Sequence, residues 1–393
     1  MKAHKLTLQC MLVQALFWGL SGAVVSFARI YLQRNHFDVA LVGTALAVVK
    51  VASSLIQPLL ADLADRSKKL TVADYCRILI ALTLVLLVSN LLFGLGGWVL
   101  LSVFLATVLM VQLLEPLSAS VSSYYLYTGE KLNYGMVRAS GAACFGILSV
   151  VMGFLVDAWG ETVILWVSVA FCILYVLNLH FLPQMKPFGA ALQEKQKSMG
   201  LLAFAKKYRR FMLGMVGVFF LGAFHVTTET YMIDMAQLLG GGESDVGVVL
   251  FCSCVGEISI MLLFEKIRHK LKPMGWICLG AVGYILKGIL YLVAWEPWVL
   301  YVAGFLHLCS YGLFAPAIIY FAKDEVAQQD MVKGQALIVS FKVLGGSAGI
   351  LVGGWLISGW SVQTMLYMAM GFAIACQVLF LVVLRSGKES KVS

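Results

Sequence analysis

The amino-acid sequence predicts an all-α polytopic membrane protein with twelve transmembrane helices. Hydrophobic residues make up 61% of the 393-residue chain, only 12% of its residues are charged, and its mean hydropathy is +0.90. A water-soluble protein of this size could not bury so much apolar surface. The apolar runs are continuous, whereas the strands of an outer-membrane barrel alternate apolar and polar residues. Backbone groups in lipid must be satisfied within their own segment, so these runs are predicted to be helices.

Two of the runs are too long for a single crossing. Residues 78–114 and 343–384 contain no charged residue over 37 and 42 positions. At about 1.5 Å per residue the shorter run would reach roughly 55 Å, against a hydrocarbon core of about 30 Å. Each run is therefore predicted to be a helical hairpin that turns at its glycines, at Gly94–Gly97 and at Ser358–Ser361. The same reasoning places twelve predicted spans, numbered 1 to 12, at 8–33, 38–61, 72–94, 98–124, 137–157, 161–182, 209–236, 245–264, 273–295, 297–322, 335–358 and 361–385.

The distribution of polar residues divides the chain and orients it. Residues 183–208 form the longest polar stretch and predict a cytoplasmic loop between an N-terminal half, 1–182, and a C-terminal half, 209–393. Each loop takes the number of the predicted span that it follows. Most of the 29 Lys and Arg residues lie at the termini and in the even-numbered loops, whereas Arg34 is the only Lys or Arg in the odd-numbered loops. Positive residues stay on the cytoplasmic side, so both termini are expected there. This placement accounts for the net charge of +9 without a nucleic-acid partner.

Enzyme and metal motifs are scarce. The sequence has neither a Walker A motif nor His-Glu-x-x-His. Gly345–Gly349 fits Gly-x-Ser-x-Gly, but it lies inside predicted span 11, where spaced glycines indicate close helix packing. All nine cysteines lie within predicted spans, where they are expected to pack as small apolar residues. We therefore expect no enzymatic activity, no cofactor and no metal.

The cytoplasmic loop after span 2 carries a recognisable motif. Its residues 61–70 read Ala-Asp-Leu-Ala-Asp-Arg-Ser-Lys-Lys-Leu. This segment resembles the Gly-x-Leu-Ala-Asp-Arg-x-Gly-Arg-Arg signature of the major facilitator superfamily, with Ala61 and Lys68 in place of the two glycines. The resemblance implies the fold of that superfamily, with two six-helix halves. It also implies that Asp65 and Arg66 belong to a conformational gate.

A narrower resemblance runs through spans 5 and 8 to 10. Residues 134–141 are similar to the aromatic-Gly-x-x-Arg-x-x-Gly entry of span 5 in the lactose permease and phenylpropionate permease branch of proton symporters. Glu257, Lys287 and His307 occupy spans 8, 9 and 10 in the order of that branch. The resemblance implies a proton-coupled symporter of oligosaccharide-like solutes, with Arg138 binding substrate. Three departures place galactoside specificity in doubt: span 4 has no acid near Ala119, Phe145 replaces a Trp, and Ser310 replaces a second acid.

Ionisable residues inside the predicted spans are the candidate functional residues. A charge there costs roughly 2.5–3.5 kcal/mol on insertion scales, so such residues are usually paired or functional. His225 and Glu229 are four positions apart and share one helix face. The proton-coupling candidates are Glu257, Lys287, His307 and Glu229. The substrate-binding candidates are Arg138, Phe145, Glu115, Trp18, His225, Lys50 and Lys342.

The sequence favours uptake of a small polar, sugar-like solute by alternating access, coupled to protons. Three alternative functions stay open: a proton-coupled efflux antiporter of drugs or metabolites, a symporter of an organic anion or a nucleoside, and a non-transporting membrane protein such as a sensor or an embedded enzyme. For Glu257 the alternative is a static ion pair with Lys287 without a coupling role. The expected partners are the solute, protons and the surrounding lipid bilayer, and the expected state is a monomer. The expected location is the cell membrane.

Overall fold

The protein is almost entirely helical in the computed structural model, which describes residues 2–67, 69–127, 134–185, 201–327 and 330–389. The helices of the N-terminal region are α1 Lys2–Ser21, α2 Ala28–Arg34, α3 Val39–Arg66, α4 Val72–Phe93, α5 Gly97–Tyr127, α6 Tyr134–Trp159 and α7 Thr162–Phe181. Those of the C-terminal region are α8 Leu201–Lys207, α9 Arg209–Thr230, α10 Met232–Leu238, α11 Glu243–Ile267, α12 Pro273–Val293, α13 Pro297–Phe305, α14 Tyr311–Glu325, α15 Met331–Gly359 and α16 Val362–Glu389.

Eleven helical segments in the described residues are long and apolar enough to cross a membrane, and each overlaps one predicted span. The remaining predicted span, 245–264, corresponds to α11, a helix of 25 residues that is not among the eleven. The short helix α8 lies within the stretch that the sequence predicts to be a loop. The count of twelve crossings and the cytoplasmic location of both termini stay predictions.

Three of the spans are interrupted. In span 1, the π-helix Gly22–Ser26 separates α1 from α2. Span 7 breaks at Tyr231, between α9 and α10. Span 10 breaks at the 3-10 turn Leu306–Cys309, between α13 and α14. Interruptions of this kind leave backbone groups and side chains directed away from the regular helix, and they are frequent at functional sites in membrane proteins.

The helices group into two compact units. The first unit comprises Met1–Phe37, Val48–Glu194 and Val246–Phe251. Within it α1 packs against α6 and α7, and α4 packs against α5. Side chains inside this unit bond to backbone across helices: Gln14 Nε2 donates to the Ser118 carbonyl at 3.0 Å, and Gln57 Nε2 donates to the Gln112 carbonyl at 2.9 Å. Such bonds satisfy buried polar groups where water is excluded.

The second unit comprises Asp38–Ala47, Lys195–Asp245 and Cys252–Ser393. Its densest packing is between α15 and α9, and α16 and α12 complete it. Gly349 makes this close approach possible, because a Cβ there would lie 2.6 Å from the Ala223 carbonyl oxygen. A Cβ on Gly345 would likewise overlap the Phe219 carbonyl. The Gly-x-Ser-x-Gly segment therefore lies in a continuous helix and serves helix packing.

Candidate functional site

Helix α9 places two ionisable side chains on one face in the second unit. His225 is 7% exposed, and Glu229 is half-buried one turn further along. His225 Nε2 lies 3.6 Å from Glu229 Oε1, so the predicted i, i+4 pair is present. The ring of His225 also lies edge-on to Tyr284 of α12, with centroids 5.9 Å apart. The face of α9 that carries this pair is therefore directed at the neighbouring helices of the unit.

Lys287 of α12 and His307 of the 3-10 turn form a buried pair beside it. Lys287 Nζ lies 2.9 Å from His307 Nδ1, and the two residues are 3% and 4% exposed. An ammonium can only donate, so His307 must accept at Nδ1 and carry its own proton on Nε2 while Lys287 is charged. The His225 and His307 rings lie 5.3 Å apart, which joins this pair to the pair on α9.

The break in span 10 brings His307 to this position. Gly283 of α12 lies against the Cys309 backbone, where a Cβ would overlap the carbonyl, and a Cβ on Gly280 would lie 3.0 Å from the Ser310 carbonyl oxygen. Because these glycines lack a Cβ, α12 can approach the backbone of the turn closely. The ring of His307 is thus held on a turn that is packed against the helix that carries Lys287.

Tyr311 and Lys342 extend the cluster. The Tyr311 ring stacks on His225 at 5.0 Å with an interplanar angle of 7°. Lys342 Nζ of α15 donates to the Tyr311 hydroxyl at 2.8 Å and lies 4.4 Å from the ring centroid. Lys342 is therefore placed next to the group around His225, and its role in substrate binding stays a prediction.

Glu257 lies beside the same turn. The Glu257 Cα and the His307 carbonyl oxygen both lie close to Gly312, at 3.5 and 2.9 Å from the position that a Cβ on this glycine would take. Gly256, one residue earlier, packs against the backbone of Phe305 and Leu308. Glu257 is half-buried. Helix α11 thus packs its backbone at Gly256 and Glu257 closely against the region around the turn that carries His307.

The candidates in the first unit form a separate group. Trp18 of α1 and Phe145 of α6 are both half-buried, and their rings meet edge to face at 6.1 Å. Arg138 is exposed on α6, seven residues before Phe145 and so on the same helix face. Gly141, between them, lies directly under the Trp18 indole. An arginine and two aromatic rings therefore share one side of α6.

The other predicted residues of this region lie on α3 and α5. Lys50 is half-buried on α3, and Glu115 is exposed on α5 next to Pro116. Asp65 and Arg66 end α3, and their side chains lie outside the described residues. Their role in a conformational gate stays a prediction.

Sequence reasoning missed the tyrosines of the cluster. Tyr311 stacks on His225, and Tyr284 is fully buried against the same ring. A signal existed for Tyr311, because it follows His307 by four positions. Nothing in the local sequence marks Tyr284, since its contact with His225 depends on how α12 packs.

The second unit therefore holds a connected set of groups that can exchange protons and bind polar atoms: His225, Glu229, Lys287, His307, Tyr311 and Lys342. Three of these, His225, Glu229 and His307, could also ligate a cation, because their candidate ligand atoms all lie within 4.8 Å of one another. Buried ionisable groups on interrupted membrane helices are the arrangement by which secondary transporters bind ions and solutes. The fold and the site thus define a polytopic membrane transporter.

Comparison with known proteins identifies the family. The MFS_1-like family profile matches residues 9–369, so the chain belongs to this family of major facilitator transporters. A maltose permease of Geobacillus stearothermophilus is 25% identical over 353 residues, which are 87% of this chain and 85% of the permease.

Solved structures share the fold. The nucleoside transporter NupG superposes with a TM-score of 0.81 and 18% identity, covering 96% of this chain and 99% of NupG. The peptide-transporter-family protein PepTSo superposes with a TM-score of 0.72 and 11% identity, covering 98% and 99% of the two chains. At these identities the structures establish the fold and leave the transported solute open.

Proposed function

We propose that the protein is a proton-coupled symporter in the cell membrane that takes up a sugar or another small polyhydroxylated solute. The observation that carries this proposal is the buried Lys287–His307 contact at 2.9 Å, next to the His225–Glu229 pair. Burial of an ammonium and an imidazole inside a membrane protein costs free energy, so such residues usually have a function. A network in which imidazoles, a lysine and carboxylates adjoin can pass or store a proton.

Glu257 is the proposed carrier of the coupling proton. Burial favours the neutral form of a carboxylate, and a nearby ammonium favours its ionised form. If the distance between Glu257 and Lys287 changes during transport, the carboxylate binds a proton in one state and releases it in the other. The 2.9 Å contact of the His307 ring with Lys287 supports a role for this ring in orienting or relaying the proton. Glu229 is the second carboxylate that could carry the coupling proton.

The solute proposal is supported by the similarity to a maltose permease and by the residues on α6. Aromatic rings such as Trp18 and Phe145 can stack on a sugar face, and the planar Arg138 guanidinium can donate paired hydrogen bonds to hydroxyls. A nucleoside is the second candidate, because it also combines a sugar with a ring that stacks and because NupG shares the fold. The alternative to uptake is transport in the opposite direction, the efflux of drugs or metabolites.

Glu257→Gln in membrane vesicles tests the coupling. Radiolabelled maltose and uridine are supplied with an imposed pH gradient, with and without a protonophore, and with sodium replaced by choline. In the native protein, accumulation of one solute should depend on the pH gradient and survive the loss of sodium. Glu257→Gln should abolish accumulation and leave exchange of labelled for unlabelled solute.

The matched control is Glu296→Gln, because Glu296 is exposed at the start of α13. This variant should accumulate solute as the native protein does. Glu229→Gln, examined in parallel, separates the two carboxylates. Normal accumulation with a normal pH profile in Glu257→Gln would exclude Glu257 as the carrier, and loss in Glu229→Gln alone would move the role to α9.

A further inference from the structure

We propose that His225, Glu229 and His307 form a binding site for a divalent transition metal such as Zn²⁺, which competes with Lys287 for His307. The three residues come from α9 and from the turn that interrupts span 10. Two imidazoles and one carboxylate are a donor set that Zn²⁺ takes in proteins, with a fourth position open to water or a solute atom.

The geometry is close to what a metal needs. Bond lengths of about 2.0 Å to nitrogen and oxygen place the ligand atoms of a tetrahedral Zn²⁺ about 3.3 Å apart. His225 Nε2 and Glu229 Oε1 are already 3.6 Å apart. All three candidate ligand atoms lie within 4.8 Å of one another, so small side-chain rotations complete the set.

The burial of both histidine rings favours the binding of a metal ion at this cluster. His225 and His307 are 7% and 4% exposed, so their rings are held by their surroundings before any metal arrives. The His225 ring is fixed between Tyr311, stacked at 5.0 Å, and the edge of Tyr284. A site that is organised in advance loses less side-chain freedom on binding.

Lys287 opposes the metal for a definite chemical reason. While Lys287 donates to His307 Nδ1, that nitrogen cannot give its lone pair to a metal. If the metal binds Nε2 instead, Nδ1 carries the proton and can no longer accept from the ammonium. Either route breaks the hydrogen bond that the Lys287 ammonium donates to His307, and Lys342 beside Tyr311 adds a second positive charge nearby. Metal binding and a hydrogen bond from the charged Lys287 to His307 therefore exclude each other.

The consequence for transport rests on the proposed function. If the Lys287–His307 contact takes part in proton coupling, a metal that breaks it should arrest uptake. Zn²⁺ would then act as an inhibitor from within the cluster, and its potency should follow its affinity in each variant.

The binding experiment uses the full-length protein, purified in detergent without a polyhistidine tag, and titrated calorimetrically with Zn²⁺ alone. We expect one strong site. His225→Gln and His307→Gln should each weaken binding by about tenfold or more, since even the loss of a residue that only orients a metal ligand costs about 10- to 100-fold. Lys287→Met should strengthen binding. His180→Gln at the end of α7 is the matched control and should bind as the native protein does.

Co²⁺ provides a test that needs no variant. Its absorption spectrum should show a four-coordinate site without the intense thiolate band that ligation by any of the nine cysteines would produce. A thiolate band, equal binding by the histidine variants, or no tighter binding by Lys287→Met would overturn the proposal. Failure of the native vesicles to accumulate any solute would overturn the proposed function alone, because the titration does not depend on transport.

Discussion

At the scale of single residues, three of the buried ionisable groups in the described part of the chain, Lys287, His307 and His225, lie together. Lys287 and His307 are both almost fully buried and in direct contact. The centroids of the His225 and His307 rings lie 5.3 Å apart. A buried ionisable group that serves no purpose would be replaced at a gain in stability. Arg138 differs from these residues, because it is exposed and a change there should leave the fold intact.

Arg138→Lys should therefore reduce transport without reducing stability. Lysine keeps the charge and loses the planar fork that can donate two parallel hydrogen bonds. We expect a rise in the KM for the transported solute of about tenfold, which corresponds to roughly 1.4 kcal/mol of lost hydrogen bonding. Uptake kinetics in vesicles measure this, and thermal unfolding should match the native protein. Arg209→Lys, at an exposed position that begins α9, is the control. An unchanged KM in Arg138→Lys would remove Arg138 from the binding site.

At the scale of helices, glycines decide which elements can approach one another. Helix α15 lies against α9 because Gly345 and Gly349 face backbone carbonyls of α9. Gly283 and Gly280 play the same part between α12 and the broken span 10. Lipid tails are as apolar as the helix surfaces, so no hydrophobic force drives the helices together in a membrane. Close packing contacts of this kind therefore supply much of the free energy of helix association.

Gly345→Ala should destabilise the protein. A methyl group at this position would overlap the Phe219 carbonyl, so α15 would have to move away from α9. Overpacking of this kind costs about 1–3 kcal/mol. Gly371 of α16 has no atom within 4 Å of the position its Cβ would take, so Gly371→Ala should be neutral or slightly stabilising. Melting temperatures of the two variants in detergent test the contrast, and equal values would contradict it.

A polar contact ties α8 to the segment before α15. Asp330 accepts hydrogen bonds from the Tyr208 hydroxyl at 2.6 Å and from Lys207 Nζ at 2.9 Å. The Tyr208 hydroxyl, and then the Lys207 ammonium, hold the pKa of Asp330 below its ordinary value of 3.8. A carboxylate with a lowered pKa stabilises the folded state at neutral pH, and this contribution is lost as pH falls through that lowered pKa.

Asp330→Asn should consequently lower the melting temperature slightly at neutral pH. The effect is small because the contact is exposed to solvent, which screens it. The difference between native protein and variant should shrink as the pH falls below 3.8, where the carboxylate becomes protonated in the unfolded chain, and it should vanish once the pH passes below the lowered pKa of the folded state. Melting curves at several pH values measure it. A difference that grows on acidification would show that the lowered pKa has been assigned to the wrong group.

At the scale of the whole molecule, the apolar helices establish a multi-pass membrane protein of the MFS_1-like family. Orientation rests on the distribution of Lys and Arg, because positively charged loops remain cytoplasmic. Two described residues lie in segments that the sequence predicts on opposite sides of the membrane: His36 lies between α2 and α3, and Lys206 lies in α8.

His36→Cys and Lys206→Cys, each in a background without the nine native cysteines, test this orientation. A membrane-impermeant thiol reagent applied to intact cells should label the cysteine at position 36 and leave that at position 206 unlabelled. Permeabilised cells should show labelling at both positions, which controls for accessibility. The reverse pattern in intact cells would invert the topology and place both termini outside.

The sequence by itself determined the membrane class, the positions of eleven spans and the pairing of His225 with Glu229, because these depend on local hydropathy and helical periodicity. It also indicated the turn residues and the glycine packing of α15. Only the tertiary structure decided which buried ionisable residues meet. Lys287 and His307 are 20 residues apart on different elements, and Tyr284 reaches His225 from α12. The breaks at Tyr231 and His307 interrupt spans that the sequence predicts as continuous helices. Contacts of this kind depend on how helices pack against one another. The spacing of residues along a single helix does not predict that packing.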